Sequence, residues 1–121
     1  MKTNELRIGN RLMYDGDVVE VTMIGMQACV CRRGDKFIAI TIGNVEPIPL
    51  TSDYLKEIGA EEARVIKDNR PLFKYDRFNI IYNQKYRFWV VIDYTSSVYI
   101  TKVEYVHELQ NVLFVLNGEI K

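Results

Sequence analysis

Cys29, Cys31 and His107 are the residues of this chain that could supply a nucleophile and its base, and the histidine is the only one present. No nucleophile motif surrounds either cysteine, and thiols on an apolar strand are commonly core residues. Two cysteines and one histidine also fall short of the four ligands of a structural zinc site. Spaced two apart on a strand, the thiols share a face with Cα atoms roughly 6.7 Å apart. That is near the upper limit for a disulfide, so reduced thiols are expected. The carboxylates are scattered: Asp15 and Asp17 flank a turn glycine, and Glu61-Glu62 opens a loop or strand. The glycines form neither a G-x-x-x-x-G-K-[ST] nor a G-x-G-x-x-G phosphate cradle. Arg33-Gly34-Asp35 spells an adhesion tripeptide but reads as a turn. No catalytic residue, metal ligand or cofactor site is therefore assigned, and no enzymatic activity is expected.

Residues 64–89 carry the strongest local signal. Arg64, Lys67, Arg70, Lys74, Arg77, Lys85 and Arg87 are opposed only by Asp68 and Asp76, leaving five net positive charges within a chain of zero formal charge. Phe73, Tyr75, Phe78, Tyr82, Tyr86, Phe88 and Trp89 are interleaved with them. Cationic groups neutralise phosphates and aromatic faces stack on unpaired bases, so the combination suits single-stranded RNA or DNA. The same pattern also fits an ordinary sheet with aromatics inside and basic groups in water. Tyr75 and Trp89 lie off the faces made by Phe78-Ile80-Tyr82 and Tyr86-Phe88-Val90, and are the aromatics expected to reach a ligand. A second candidate surface is on the last helix, where His107 and Phe114 fall opposite Leu109, Leu113 and Leu116 at 100° per residue.

The elements that position these residues are legible from turns and periodicity. Residues 11–14 and 18–24 flank Asp15-Gly16, a hairpin dipeptide. Strands over 27–31 and 37–42 follow, the first closed by Arg33-Gly34-Asp35 and the second by Gly43-Asn44. Four short strands with glycine-bearing turns predict an SH3-like β-meander or small barrel. Pro47 and Pro49 make residues 47–50 an extended linker. Thr51 or Ser52 caps a short helix that Gly59 stops. A short strand is expected around 63–66, a turn at 68–71, and then an antiparallel sheet over 72–82, 86–94 and 98–103, of three strands or, with the first run broken near Asp76, four. In the second of these, both faces are apolar, which marks it as central. An amphipathic helix over 105–116 ends at Asn117-Gly118 and is expected to pack on that sheet. The fold class is α+β. The 121 residues are expected to make a single domain, with a meander over 1–46, the linker over 47–50 and a helix-sheet-helix region over 51–121.

Sixteen basic and sixteen acidic side chains exclude a histone-like basic binder and a strongly acidic nucleic-acid mimic. No apolar run reaches the ~18–20 residues of a membrane helix. The first ten residues contain Lys2, Glu5 and Arg7 and no apolar core of a secretory signal, so a cytoplasmic location is expected.

Pro47-Ile48-Pro49-Leu50-Thr51 before a short helix, Tyr105-Val106-His107-Glu108-Leu109-Gln110-Asn111, the terminal Leu116-Asn117-Gly118-Glu119 and the opening Leu6-Arg7-Ile8-Gly9-Asn10 together resemble a small protein family. That family is widespread in Bacteroidetes and in their phages and integrated elements. Glu108 departs from its pattern, where glutamine is usual. The resemblance carries no enzymatic activity with it. It implies a mobile-element protein in a bacterial host cytoplasm, binding a host protein or ribonucleoprotein. Inhibition of a defence system, as by an anti-CRISPR protein acting on an RNA-guided nuclease, is the role it suggests; single-stranded RNA or DNA binding through residues 64–89 is the alternative. It leaves the oligomeric state undetermined.

Overall fold

The computed structural model describes residues 5–64, 70–96 and 98–117, and for Arg64 the backbone only. Lys67, the turn residues Asp68, Asn69 and Ser97, and the expected helix stop at Gly118 lie outside the described residues.

The chain divides into two compact units: residues 1–49 with 105–121, and residues 50–104. The first unit holds an antiparallel meander of β1 (Arg11–Tyr14), β2 (Asp17–Ile24), β3 (Ala28–Arg33) and β4 (Lys36–Thr41), in that spatial order. Asp15 and Gly16, at φ 50° and 84°, make the turn between β1 and β2. Positive φ at both central residues matches the right-handed twist of the flanking strands, which is why Asp-Gly suits this position. Gly34, at φ 63°, does the equivalent between β3 and β4. The inward face carries Leu12, Val19, Val21, Cys29, Cys31 and Ile40, closed by Leu6 and Val45. The sheet is open, which corrects the expectation of an SH3-like barrel. Closure would need β1 and β4 to pair, but along its outer side β1 is bridged instead to Glu46.

The C-terminal helix α2 (Val106–Asn117) belongs to this first unit, not to the second sheet on which periodicity placed it. Buried amides hold it there. Gln110 accepts a hydrogen bond from the Arg11 backbone N–H at 2.9 Å and donates to the Gly9 carbonyl at 3.3 Å. Asn10 donates to Asn111 at 2.9 Å, and Asn111 donates to the Glu5 carbonyl at 2.7 Å. Asn10 and Gln110 are fully buried, and buried polar groups persist only when so partnered. The helix starts with a carboxylate at its third position: Glu108 accepts from the Tyr105 backbone N–H at 3.0 Å. Glutamate and glutamine serve equally in that capping role.

The second unit holds α1 (Ser52–Glu57) and a five-stranded antiparallel sheet of β5 (Glu61–Arg64), β6 (Pro71–Tyr75), β7 (Phe78–Asn83), β8 (Phe88–Asp93) and β9 (Val98–Val103), in sequence order. Thr51 caps α1 through the Tyr54 N–H, as expected. The run over 72–82 is two strands, with the break at Asp76, whose φ of 53° allows a two-residue turn with Arg77. Within the chain, Pro49 bridges Tyr105 while the Leu50 N–H donates to the Glu104 carbonyl at 2.9 Å. The two ends of the second unit are thereby brought to one point.

Replacing Gln110 by leucine keeps the volume but strands the Arg11 N–H and the Gly9 carbonyl. Unfolding in urea is expected to show a loss of about 1–3 kcal/mol. An unchanged midpoint would contradict the anchoring role.

Candidate functional site

Register assigns each residue of the second sheet to a face, because directly opposed residues share one. One face comprises the rows Phe73–Ile80–Val91–Thr101, Tyr75–Phe78–Asp93–Val98 and Tyr82–Trp89–Val103. Phe73, Phe78, Ile80, Trp89, Val91 and Val103 are buried on it. Trp89 is 4% exposed, lies 5.9 Å and 5.0 Å from the Phe73 and Tyr82 ring centroids, and donates its indole N–H to the Leu50 carbonyl at 3.2 Å. That bond ties the segment entering α1 to this face. The expectation that Trp89 reaches a ligand is therefore corrected. Both faces of β8 are apolar, so alternation identifies two faces without saying which is the core. Tyr75 is half-buried on the same side.

The opposite face is the candidate site. Its centre is a row of half-buried aliphatic groups, Leu72, Ile81 and Val90, with Ile92 beside it. Aromatic rings and lysines surround them. Tyr86 stacks on Phe88 with ring centroids 6.0 Å apart, and Lys85 lies 5.2 Å from the Tyr86 ring and Lys102 5.3 Å from the Phe88 ring. Nearer the other end of β8, Lys74 sits 5.6 Å from the Tyr94 ring, and Tyr99 stands opposite Ile92. Tyr86 and Tyr99 are 63% and 58% exposed. The loop carrying Lys85 is fixed by Asn83, whose side-chain oxygen accepts from the Lys85 and Tyr86 N–H groups at 3.1 Å each.

Of the residues singled out in the sequence, Lys74 and Lys85 lie on this face, near opposite ends of β8. Arg87 is exposed in the β7–β8 loop at φ 59°. Arg77 is exposed in the β6–β7 turn, 3.6 Å from Asp93 and over the Phe78 ring, so its charge is locally answered. The side-chain hydrogen bond from Thr95 holds the Asp93 carboxyl below its usual range, aided by backbone N–H groups of Ser96 and Thr95 and by Arg77. Arg70 is half-buried at the start of β6, and Arg64 ends β5 opposite Pro71. Tyr94, Tyr99 and Lys102 escaped the sequence reading. Tyr99 and Lys102 are three apart, which simple alternation places on opposite faces. The extra residue Ile100, between the pairs Val91–Thr101 and Ile92–Tyr99, brings them to one side.

The second candidate surface is also corrected. His107 is 4% exposed and stacked 6.1 Å from Tyr105, with its Nδ1 buried and, among the described residues, without a hydrogen-bond partner. Phe114 is half-buried, with the Arg7 guanidinium 4.7 Å from its ring centre. α2 buries Val106 and His107 as well as the Leu109–Leu113 stripe, so the side of the helix carrying His107 is packed rather than free. Cys29 and Cys31 are buried and free, their sulfurs 3.5 Å apart. Burial, reinforced by the neighbouring thiol, pushes Cys31 up to about 12. Such a thiol is a poor nucleophile at neutral pH. Among the described residues, no three His, Cys, Asp or Glu side chains gather to hold a metal ion, and no helix is long and apolar enough to cross a membrane.

No family model, curated protein or solved structure matches this chain.

Burial holds the His107 pKa below its ordinary value, against the opposing pull of the Glu108 and Glu5 carboxylates. The unfolded chain binds this proton near pH ~6.5 while the folded chain resists it. Its contribution is full above that pH and is lost as pH falls below it. The melting temperature is expected to drop between pH 7.5 and 5.5, and to drop less in His107→Phe. Equal pH dependence in both proteins would contradict the assignment.

Proposed function

We propose that this protein is a non-catalytic binding protein whose second sheet docks a macromolecular partner through its outward face. The supporting observation is the composition of that face: an aliphatic centre of Leu72, Ile81, Val90 and Ile92, rimmed by Tyr86, Tyr94 and Tyr99 and by Lys74, Lys85 and Lys102. An apolar middle with a polar, aromatic rim is the usual anatomy of a protein–protein interface. Tyrosine side chains, with only two rotatable torsions, lose little entropy on binding, and the three lysines favour an acidic partner surface. The inward placement of both thiols and of His107 accords with a role without chemistry.

The resemblance to the family of Bacteroidetes and their phages directs this reading to a host protein or ribonucleoprotein. Inhibition of a bacterial defence system, such as an RNA-guided nuclease, is the role we put forward. A second reading has its own support: a lysine beside each of three aromatic rings offers both phosphate neutralisation and a stacking surface, as single-stranded RNA or DNA requires.

Parallel pull-downs from bacterial host extracts test the docking face. The wild-type chain is expected to retain a partner that the Tyr99→Ala/Lys102→Glu variant loses. Loss of one well-packed anchor costs ~2 kcal/mol, roughly thirtyfold in affinity. Val115→Lys, on the exposed side of α2, is expected to behave as wild type. Equal retention by the wild-type chain and the face variant would overturn the assignment. In gel shifts with labelled single strands, three lysine–phosphate contacts predict a log–log salt slope of about −2, and that result would favour the second reading.

A further inference from the structure

Both sheets are open, and an edge strand presents a row of backbone N–H and C=O groups ready to pair with another chain. Proteins blunt such edges with charges, bulges, prolines or a covering segment. Along the outer side of β1, Met13 and Glu46 exchange two backbone hydrogen bonds of 2.8 Å. β9 contains the extra residue Ile100 and the charge of Lys102. β5 reads Glu-Glu-Ala-Arg. β4 differs from all three. From Phe37 to Thr41 it has no charged residue and no proline, and its register with β3 runs unbroken from Ala28–Thr41 to Arg33–Lys36. Among the described residues its outer edge has no backbone partner.

We propose that β4 is the surface through which two copies of this chain associate, by antiparallel pairing of β4 with β4 about a two-fold axis at Ala39. The strand is self-complementary in that register. Ile38 faces the second copy's Ile40, Ala39 faces Ala39, and Phe37 faces Thr41. Ile40 is buried and Ile38 half-buried on the core side, so the pairing extends each core row with an isoleucine from the other copy. On the solvent side Phe37, 66% exposed, gains a β-branched neighbour. A shift by one residue would set core side chains against solvent-facing ones. A shift by two in one direction places Lys36 opposite Ile40; in the other it leaves only Ala39 to Thr41 paired. Lys36 stays outside the matched window, so no like charges meet. An isologous contact of this kind closes on itself as a dimer and does not propagate.

Ala39 is exposed, so changing it leaves the monomer's core untouched. Sedimentation velocity across low to high micromolar concentration is expected to show a monomer–dimer equilibrium for the wild-type chain. Ala39→Lys and Ala39→Glu each oppose like charges on the axis and are expected to weaken association by about tenfold or more. An equimolar mixture of the two is expected to restore the dimer. Backbone amides of Phe37, Ala39 and Thr41, which point away from β3, should gain hydrogen-exchange protection in the wild-type chain with rising concentration, a readout that does not depend on either variant. A wild-type monomer throughout, dimerisation of the variants at wild-type strength, or a mixture that stays monomeric would overturn the proposal.

Discussion

The first unit depends on one buried amide. Gln110 takes the N–H of Arg11 and serves the carbonyl of Gly9, so a side chain late in the sequence completes the backbone pairing at the start of β1. Burying such groups unpaired is costly, and burying them paired fixes their partners in one arrangement. Rotating α2 by one residue would break both bonds. Sliding β1 would break them too. The clasp thus sets the register of the helix against the first strand, and Asn10 with Asn111 repeats the constraint beside it. It also dictates the path of the chain, which leaves the first unit at Pro49 and must return at Tyr105.

Within the second unit, turn chemistry and one irregularity decide which side chains meet. Asp76, Asn83 and Asp93 shape the corners between strands, and the extra residue Ile100 reorients β9. The result is a sheet with Trp89 on one side and an aliphatic, tyrosine- and lysine-rich surface on the other. Potentially reactive groups are distributed in the opposite sense. Both thiols and the only histidine are packed inside the first unit, where burial disfavours the ionised forms of Cys31 and His107.

Much of the architecture was legible in the sequence because turns and caps act locally. Asp15-Gly16 marked its hairpin, and Thr51-Ser52 the start of its helix. The antiparallel meander and the mixed α and β content followed from these. What escaped was set by contacts distant in sequence. Whether the meander closes depends on Glu46 occupying the edge of β1. Where α2 packs depends on Gln110 meeting Arg11, which no periodicity encodes. The candidate site was half legible. Lys74 and Lys85 were identified from charge density, whereas Tyr99 and Lys102 were hidden by a bulge that breaks the two-residue period. Trp89 was assigned to solvent because both faces of its strand are apolar, and the choice between them rests on the Leu50 carbonyl waiting for its indole N–H.

The account turns on which face of the second sheet is core, and Trp89 reports on it directly as the only tryptophan in the chain. Acrylamide quenching of its fluorescence, in the native protein and in denaturant, is the most direct measurement. Burial against Phe73 and Tyr82 predicts a blue-shifted native emission, weakly quenched, with quenching rising sharply on unfolding. A native emission already red-shifted and quenched as strongly as the unfolded chain would place Trp89 in water, exchange the two faces, and remove the proposed docking surface.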